Sequence, residues 1–255
     1  MHLPTDADIP DTEAQRQADK RRWLRAFNVS LAFVGVLTAV FLAQPHFDVG
    51  RWTVNPGDWA GLLGVLAAPL LHGSFEHLAA NAIALLMLGT LAGGMYPKAT
   101  LRALPLIWIG SGLGAWLLGS PGSHHLGASG LTHGLMFMVF LLGLLRRDRP
   151  AVAASMAAFL FYGGMLLTVL PREPGVSWQA HLGGALGGVA AAWLFSRLDP
   201  QPPRKRYSWE DEDELDSVAD RHELEPGSPR DVPVIWRREE RDDTGTVLPF
   251  RRRER

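Results

Sequence analysis

The chain contains no cysteine. Disulfides, a thiolate nucleophile and cysteine metal sites are excluded by that, whatever the compartment. Neither sign of charge is in excess: 25 Lys and Arg face 26 Asp and Glu in 255 residues, for a formal charge of −1. No electrostatic argument for a nucleic-acid partner follows. Acidic residues are scarce through the middle of the chain. Of the 26, only Asp48, Asp58, Glu76, Asp148 and Glu173 fall between Ala26 and Leu198. Intramembrane acids for ion coupling are therefore missing, and no internal repeat or inverted pair of broken helices suggests a transporter. Met1 to Lys20 is acidic and polar, with no short apolar core, so no cleavable signal is expected.

What the middle does have is long apolar runs. Phe27 to Gln44 is the first, and about 20 residues are needed to cross a bilayer. Five more follow: Leu78 to Met95, Ala103 to Leu118, Gly127 to Leu145, Ala151 to Leu170, and Trp178 to Ser196. The third is interrupted by Pro105 and several glycines, which bundles tolerate when neighbours satisfy the backbone. The long connection 45–71 contains an apolar piece, Leu62 to Leu71, that is too short to span and is expected to lie in the interface or fold back. Trp52, Trp59, Trp178 and Trp193 read as interface anchors. The fold class is an all-α membrane protein, a bundle of six transmembrane helices over 26–198. Cytoplasmic tails expected to be disordered, polar over 1–25 and charged over 199–255, flank it. The second tail, with an acidic block at Glu210 to Asp216 and a basic end at Arg251 to Arg255, cannot bury a core and is expected to be disordered. With the N-terminus inside, Lys20, Arg21, Arg22, Arg25, Lys98, Arg102, Arg146, Arg147, Arg149, Arg197 and Arg204 to Arg206 all lie inside. Only Arg51 and Arg172 lie outside. That asymmetry puts both termini in the cytoplasm.

Polar residues mark the starts of the even-numbered runs. His72, His77 and Asn81 open the second, Ser129 in Gly127-Ala128-Ser129-Gly130 opens the fourth, and His181 stands near the start of the sixth. Those runs all travel from outside to inside, so the three clusters share one depth. Polar groups cost several kcal/mol in hydrocarbon unless partnered, which favours mutual contact around a wet cavity. His77 and Asn81 are four apart and share a helix face. His181, Gly184 and Gly188 also share one, and the glycines let that helix pack tightly on a neighbour. If the neighbour is the fourth run, His181 reaches Ser129. A serine and a histidine within reach make an activated nucleophile and its general base. Asn81, His77 and the Ser129 N–H can serve a developing oxyanion. No Asp or Glu is placed as a buried third member, so a two-residue system oriented by packing is expected.

These three motifs, in this order, resemble the rhomboid family of intramembrane serine proteases over residues 26–198. The resemblance implies Ser129 as nucleophile and His181 as general base. It implies an oxyanion hole from His77, Asn81 and the Ser129 N–H. His72 would order the outer end of the second helix, Gly127 would shape the loop beside the oxyanion site, and 45–71 would be the half-embedded loop of the family. Two departures stand out. Many relatives carry a Trp-Arg pair where this chain has Leu63-Gly64, so the loop needs another anchor, Trp59 being the candidate. Many also carry an aromatic four residues after the serine, stacked on the histidine; here it is His133, which can stack but can also compete as a proton acceptor.

The reading is an intramembrane serine endopeptidase of a bacterial plasma (inner) membrane, without cofactor. Its partners are protein substrates with a transmembrane segment, cut near the outer end, and the lipid bilayer itself. Oligomeric state is left open. A non-catalytic rhomboid-like protein that binds such segments is the alternative, though it usually lacks the serine or histidine kept here. A haem or metal protein using His72, His77, His133 and His181 is a further class, which leaves the glycine-flanked serine without purpose. His124 and His125, in the outer loop, are expected to be solvated.

Overall fold

A computed structural model describes residues 12–171 and 175–199. Its helices are α1 (Thr12–Ala43), α2 (Leu63–Ala67), α3 (Phe75–Met95), α4 (Pro97–Leu118), α5 (Ser129–Arg146), α6 (Arg149–Tyr162) and α7 (Trp178–Phe195), with short 3-10 turns between them. Among the described residues there is no strand; one isolated antiparallel bridge pairs Val54 with His125. Among the described residues, four segments are long and apolar enough to cross a membrane: Glu13–His46, Phe75–Met95, Pro97–Leu118 and Ser129–Arg146. The 14 residues of α6 are too few by that measure. The 18 residues of α7 include four glycines, Gln179 and His181, which dilute its apolar character.

Three elements differ from the sequence reading. The polar stretch expected as a tail over 1–25 is helical from Thr12 and continuous with the first apolar run. Its Glu13, Ala14, Gln15, Gln17, Ala18 and Lys20 are strong helix formers. The helix is also held by packing: a Cβ on Gly94 of α3 would collide with the Trp23 ring, and one on Gly93 would lie 3.1 Å from Ala26. Residues 1–11 and the charged tail from 200 onward lie outside the described residues. The second difference is α4, which starts at Pro97, six residues before the apolar run; proline suits a first helical position because its missing N–H would be unpaired there anyway. The third is α6, which stops at Tyr162 and gives way to a 3-10 turn over Gly163–Leu166, so Ala151 to Leu170 is not one helix. Two consecutive glycines, each poor in a helix interior, fall at the break.

Glycine seams fix how the bundle packs. A Cβ on Gly184 of α7 would lie 3.0 Å from the Cα of Gly130 in α5, and one on Gly188 3.0 Å from that of Gly134. On the other side of α7, a Cβ on Gly183 would lie 3.0 Å from the Cα of Gly114 in α4. Thus α7 lies in a groove between α4 and α5, backbone against backbone, the arrangement small residues permit between apolar helices.

The 45–71 connection folds onto α4. The Trp116 indole N–H donates to Asp58 O at 2.9 Å and the Trp108 N–H to Leu66 O at 3.2 Å. Trp59 rests its ring on Trp116, with centroids 5.7 Å apart, yet stays 78% exposed. The closer fastening is main chain: Gly64 presses on the Thr53–Val54 peptide, and the Val54–His125 bridge ties this connection to the loop before α5.

At the end of the bundle remote from Ser129, Asp199 sits in a left-handed conformation (φ 56°). Its carboxylate accepts from the N–H groups of Lys98 (3.0 Å) and Ala99 (2.9 Å), capping the start of α4. Arg146, at the last turn of α5, donates to Leu198 O at 3.2 Å and to Asp199 O at 2.5 Å.

Candidate active site

The loop before α5 delivers its serine through a backbone that suits glycine alone. Gly127 has φ 116°, outside the range L side chains adopt, and its N–H donates to Ala68 O at 2.8 Å. A Cβ there would stand 2.5 Å from His77 Cε1 and 2.7 Å from His77 Nε2. The absent side chain therefore leaves room for the His77 ring. Ser129 is the first residue of α5, and no side chain caps that terminus. The first N–H groups of a helix have no intrahelical acceptor, so this end presents free donors.

The seam with α7 brings His181 to the serine. Ser129 Oγ and His181 Nε2 are 2.9 Å apart. The other ring nitrogen, Nδ1, is 3.0 Å from Thr168 O. A carbonyl can only accept, so Nδ1 carries the proton and Nε2 is free to accept from the serine hydroxyl. His133, one turn along α5, stacks on His181 with centroids 3.9 Å apart and planes 14° from parallel. Its own nitrogens are 2.6 Å from Ser129 O and 2.8 Å from Thr168 Oγ1.

The first turns of α3 contribute the remaining groups. Asn81 is buried, and its amide nitrogen has no hydrogen-bond partner. His77 faces Gly127 across the cavity wall, and its N–H donates to the Ser74 hydroxyl, the N-cap of α3. His72 is fully buried, and its ring meets that of His77 edge-on with centroids 5.1 Å apart. Gln44, just past the end of α1, clasps the His72 main chain: its side-chain carbonyl accepts the His72 N–H at 2.9 Å, and its NH2 donates to His72 O at 2.8 Å. A cavity of about 1030 Å³ is lined by Ser129, His181, His77 and Asn81, with Ser123 and Ser177 among the polar groups that complete its wall. It holds an amide donor without an acceptor, a hydroxyl paired with an imidazole, and a helix N-terminus. Among the described residues, no three His, Asp or Glu converge as a metal site needs.

The model of the rhomboid domain matches residues 58–198, more than half of the chain. The chain belongs to the rhomboid family. Similar proteins include an uncharacterized protein of Mycobacterium tuberculosis, 39% identical over 201 residues that cover 73% of this chain and 82% of the relative. An uncharacterized protein of Mycobacterium leprae is 36% identical over 203 residues, covering 73% of this chain and 77% of the relative. A chloroplastic relative, rhomboid-like protein 11 of Arabidopsis thaliana, is 26% identical over 216 residues, covering 76% of this chain and 75% of the relative.

Within this rhomboid domain the structure brings Ser129, His181, His77 and Asn81 to one cavity wall, with His133 stacked on His181, and with Gly127 and His72 against the His77 ring. Two sequence expectations change. His124 is exposed as expected, with its Nδ1 2.7 Å from Thr53 Oγ1, whereas His125 is half-buried between Ser177 Oγ (2.6 Å) and Ser123 Oγ (2.9 Å). Burial, with His124 beside it, holds the His125 imidazole below its ordinary pKa. And His133 does not compete for the serine proton, because both of its nitrogens are committed elsewhere. One residue of the site, Thr168, escapes the sequence altogether. It lies inside a run that reads as helix, and the Gly163-Gly164 pair is the available signal of the break.

Proposed function

We propose that this rhomboid is an intramembrane serine endopeptidase of a bacterial plasma membrane, with six spans and both termini in the cytoplasm. Its substrates are proteins with a transmembrane segment, cut near the outer end of that segment. One observation carries the reading: a serine hydroxyl 2.9 Å from an imidazole of the correct tautomer, at a helix N-terminus beside an unpartnered amide donor. The Lys and Arg asymmetry supports the orientation.

Ser129 Oγ attacks the scissile carbonyl carbon as His181 Nε2 takes its proton. The negative charge gathering on the carbonyl oxygen is met by the Asn81 amide, the His77 ring and the Ser129 N–H. As the tetrahedral species collapses, the C–N bond breaks and His181 gives the proton to the leaving amine. Water then attacks the acyl-enzyme with His181 again as base, releasing the new carboxyl group and restoring Ser129. Among the described residues no carboxylate supports the imidazolium; the Thr168 carbonyl takes the position a triad acid would hold. A peptide bond can enter only when its helix is unwound, so small or helix-breaking residues near the cut favour cleavage.

Labelling with a serine-reactive fluorophosphonate tests this. Wild type should be labelled, and Ser129→Ala and His181→Ala should not. A wild type that stays unlabelled, and that leaves single-span proteins intact in vesicles, returns the chain to the non-catalytic reading, a binder of transmembrane segments.

A further inference from the structure

Resting on that reading, we propose that Thr168 is the positioning residue of the dyad: its main-chain carbonyl orients His181, and its hydroxyl locks His133 as a neutral platform beneath it. His133 Nδ1 lies 2.6 Å from Ser129 O, which can only accept, so Nδ1 bears the proton. A neutral ring then has its lone pair on Nε2, 2.8 Å from Thr168 Oγ1, and the hydroxyl donates to it. The same hydroxyl also stands 3.2 Å from Met165 O. One proton cannot serve both acceptors, and the shorter contact is to His133.

The consequence falls on catalysis as well as packing. When His181 takes the serine proton it becomes a cation, with His133 stacked 3.9 Å away. Two cationic rings at that separation would repel. Donation from Thr168 occupies the Nε2 lone pair, so His133 meets the new cation as a neutral ring. The stack fixes the plane of His181, and the Thr168 carbonyl fixes its tautomer. Both contacts come from one residue on the irregular chain after α6, which makes Thr168 the junction between that segment and the base. A phenylalanine at 133 would stack without needing the hydroxyl; a histidine needs it.

Thr168→Val keeps the shape and the carbonyl and removes the hydroxyl. In full-length protein reconstituted in vesicles with a single-span substrate, it should lower kcat by about tenfold, less than outright misplacement of a base costs. KM should stay within about twofold, since ground-state binding is untouched. Thr168→Ser should recover wild-type kcat to within about twofold. In a His133→Phe background, Thr168→Val should change kcat by less than about twofold, because the partner of the hydroxyl is gone. A wild-type kcat in Thr168→Val, or an equal loss in both backgrounds, overturns the assignment. Imidazole 15N spectra of the unmodified protein supply a second test, independent of cleavage: both His133 and His181 should carry their protons on Nδ1. A His133 proton on Nε2 refutes the proposal even if the enzyme is active. An Nδ1 proton on both rings in a protein that cannot be labelled supports the Thr168 contacts while the protease reading fails. The spectra need no variant, so they decide the matter where Thr168→Val does not fold.

Discussion

His181 is held from two sides that have little in common. On one side is the seam of α7 with α5, where glycine backbones touch and nothing flexible intervenes. On the other is the chain between α6 and α7, where the helix ends early and one threonine reaches two rings. The seam sets how far the imidazole lies from Ser129. The irregular chain sets which way the imidazole faces and where its proton sits. A base needs both, and the protein assigns one to packed glycine backbones and the other to hydrogen bonds from a 3-10 turn and the residues after it. Distance comes from steric contact that cannot be adjusted; orientation comes from hydrogen bonds that can.

The contrast can be broken most severely at the seam. Gly184→Val should force α7 off α5, because the added side chain meets the Gly130 backbone rather than a movable side chain. Overpacking of this kind costs about 1–3 kcal/mol where neighbours can yield, and here they cannot. Thermal unfolding should show the loss, and fluorophosphonate labelling should vanish with it. Gly164→Ala is the counterpart in the 3-10 turn after α6. A Cβ there meets nothing within 4 Å, and the midpoint should move by less than about 0.5 kcal/mol equivalent.

A smaller effect separates chemistry from architecture. Asn81→Ala should reduce kcat on the order of a hundredfold, the usual cost of one oxyanion donor. Its thermal stability should not fall, since the amide nitrogen it removes has no partner in the resting protein. A variant that loses stability along with activity would make Asn81 a structural residue instead.

The smallest effect concerns pH and the loop before α5. His125 has its pKa lowered below 6.5 in the folded protein, with burial the larger cause and His124 the lesser. The folded state therefore favours the neutral ring. Docking of the loop is complete above the ordinary value and is lost as pH falls through the lowered one. Hydrogen-exchange protection of the amides at 123–127 should drop as the pH is taken below about 6.5, and drop less in His125→Gln. Equal behaviour of the two proteins would remove His125 from the account.

Much of this site is legible in the sequence because membranes penalise stray polarity. His72, His77, Asn81, Ser129 and His181 stand out against apolar runs, and the alternation of spans puts them at one level. The seam is legible too, since Gly184 and Gly188 repeat on the face that carries His181. The early end of α6 is marked by the Gly163-Gly164 pair alone, because Met165 to Leu170 is as apolar as the helix before it. Thr168 is hidden by the same run, and half of its contribution is made by a main-chain atom that every residue type possesses. The helix at 12–25 is obscured for the opposite reason: its surface is polar, and its one telling contact, Trp23 on Gly94, joins residues 71 positions apart. His125 looks like loop polarity until the fold supplies Ser123 and Ser177.

The Asp199 fastening has a practical bearing. The chain leaves α7 through a residue gripped by Lys98, Ala99 and Arg146, much as a cable passes through a strain relief. Tension applied to anything attached beyond that point is shed into the walls of α4 and α5 before it can tug on the rod that bears the imidazole. Handles, tethers and reporters joined downstream of Asp199 are thus mechanically decoupled from the far end of α7, while the same fusions joined upstream of it would not be.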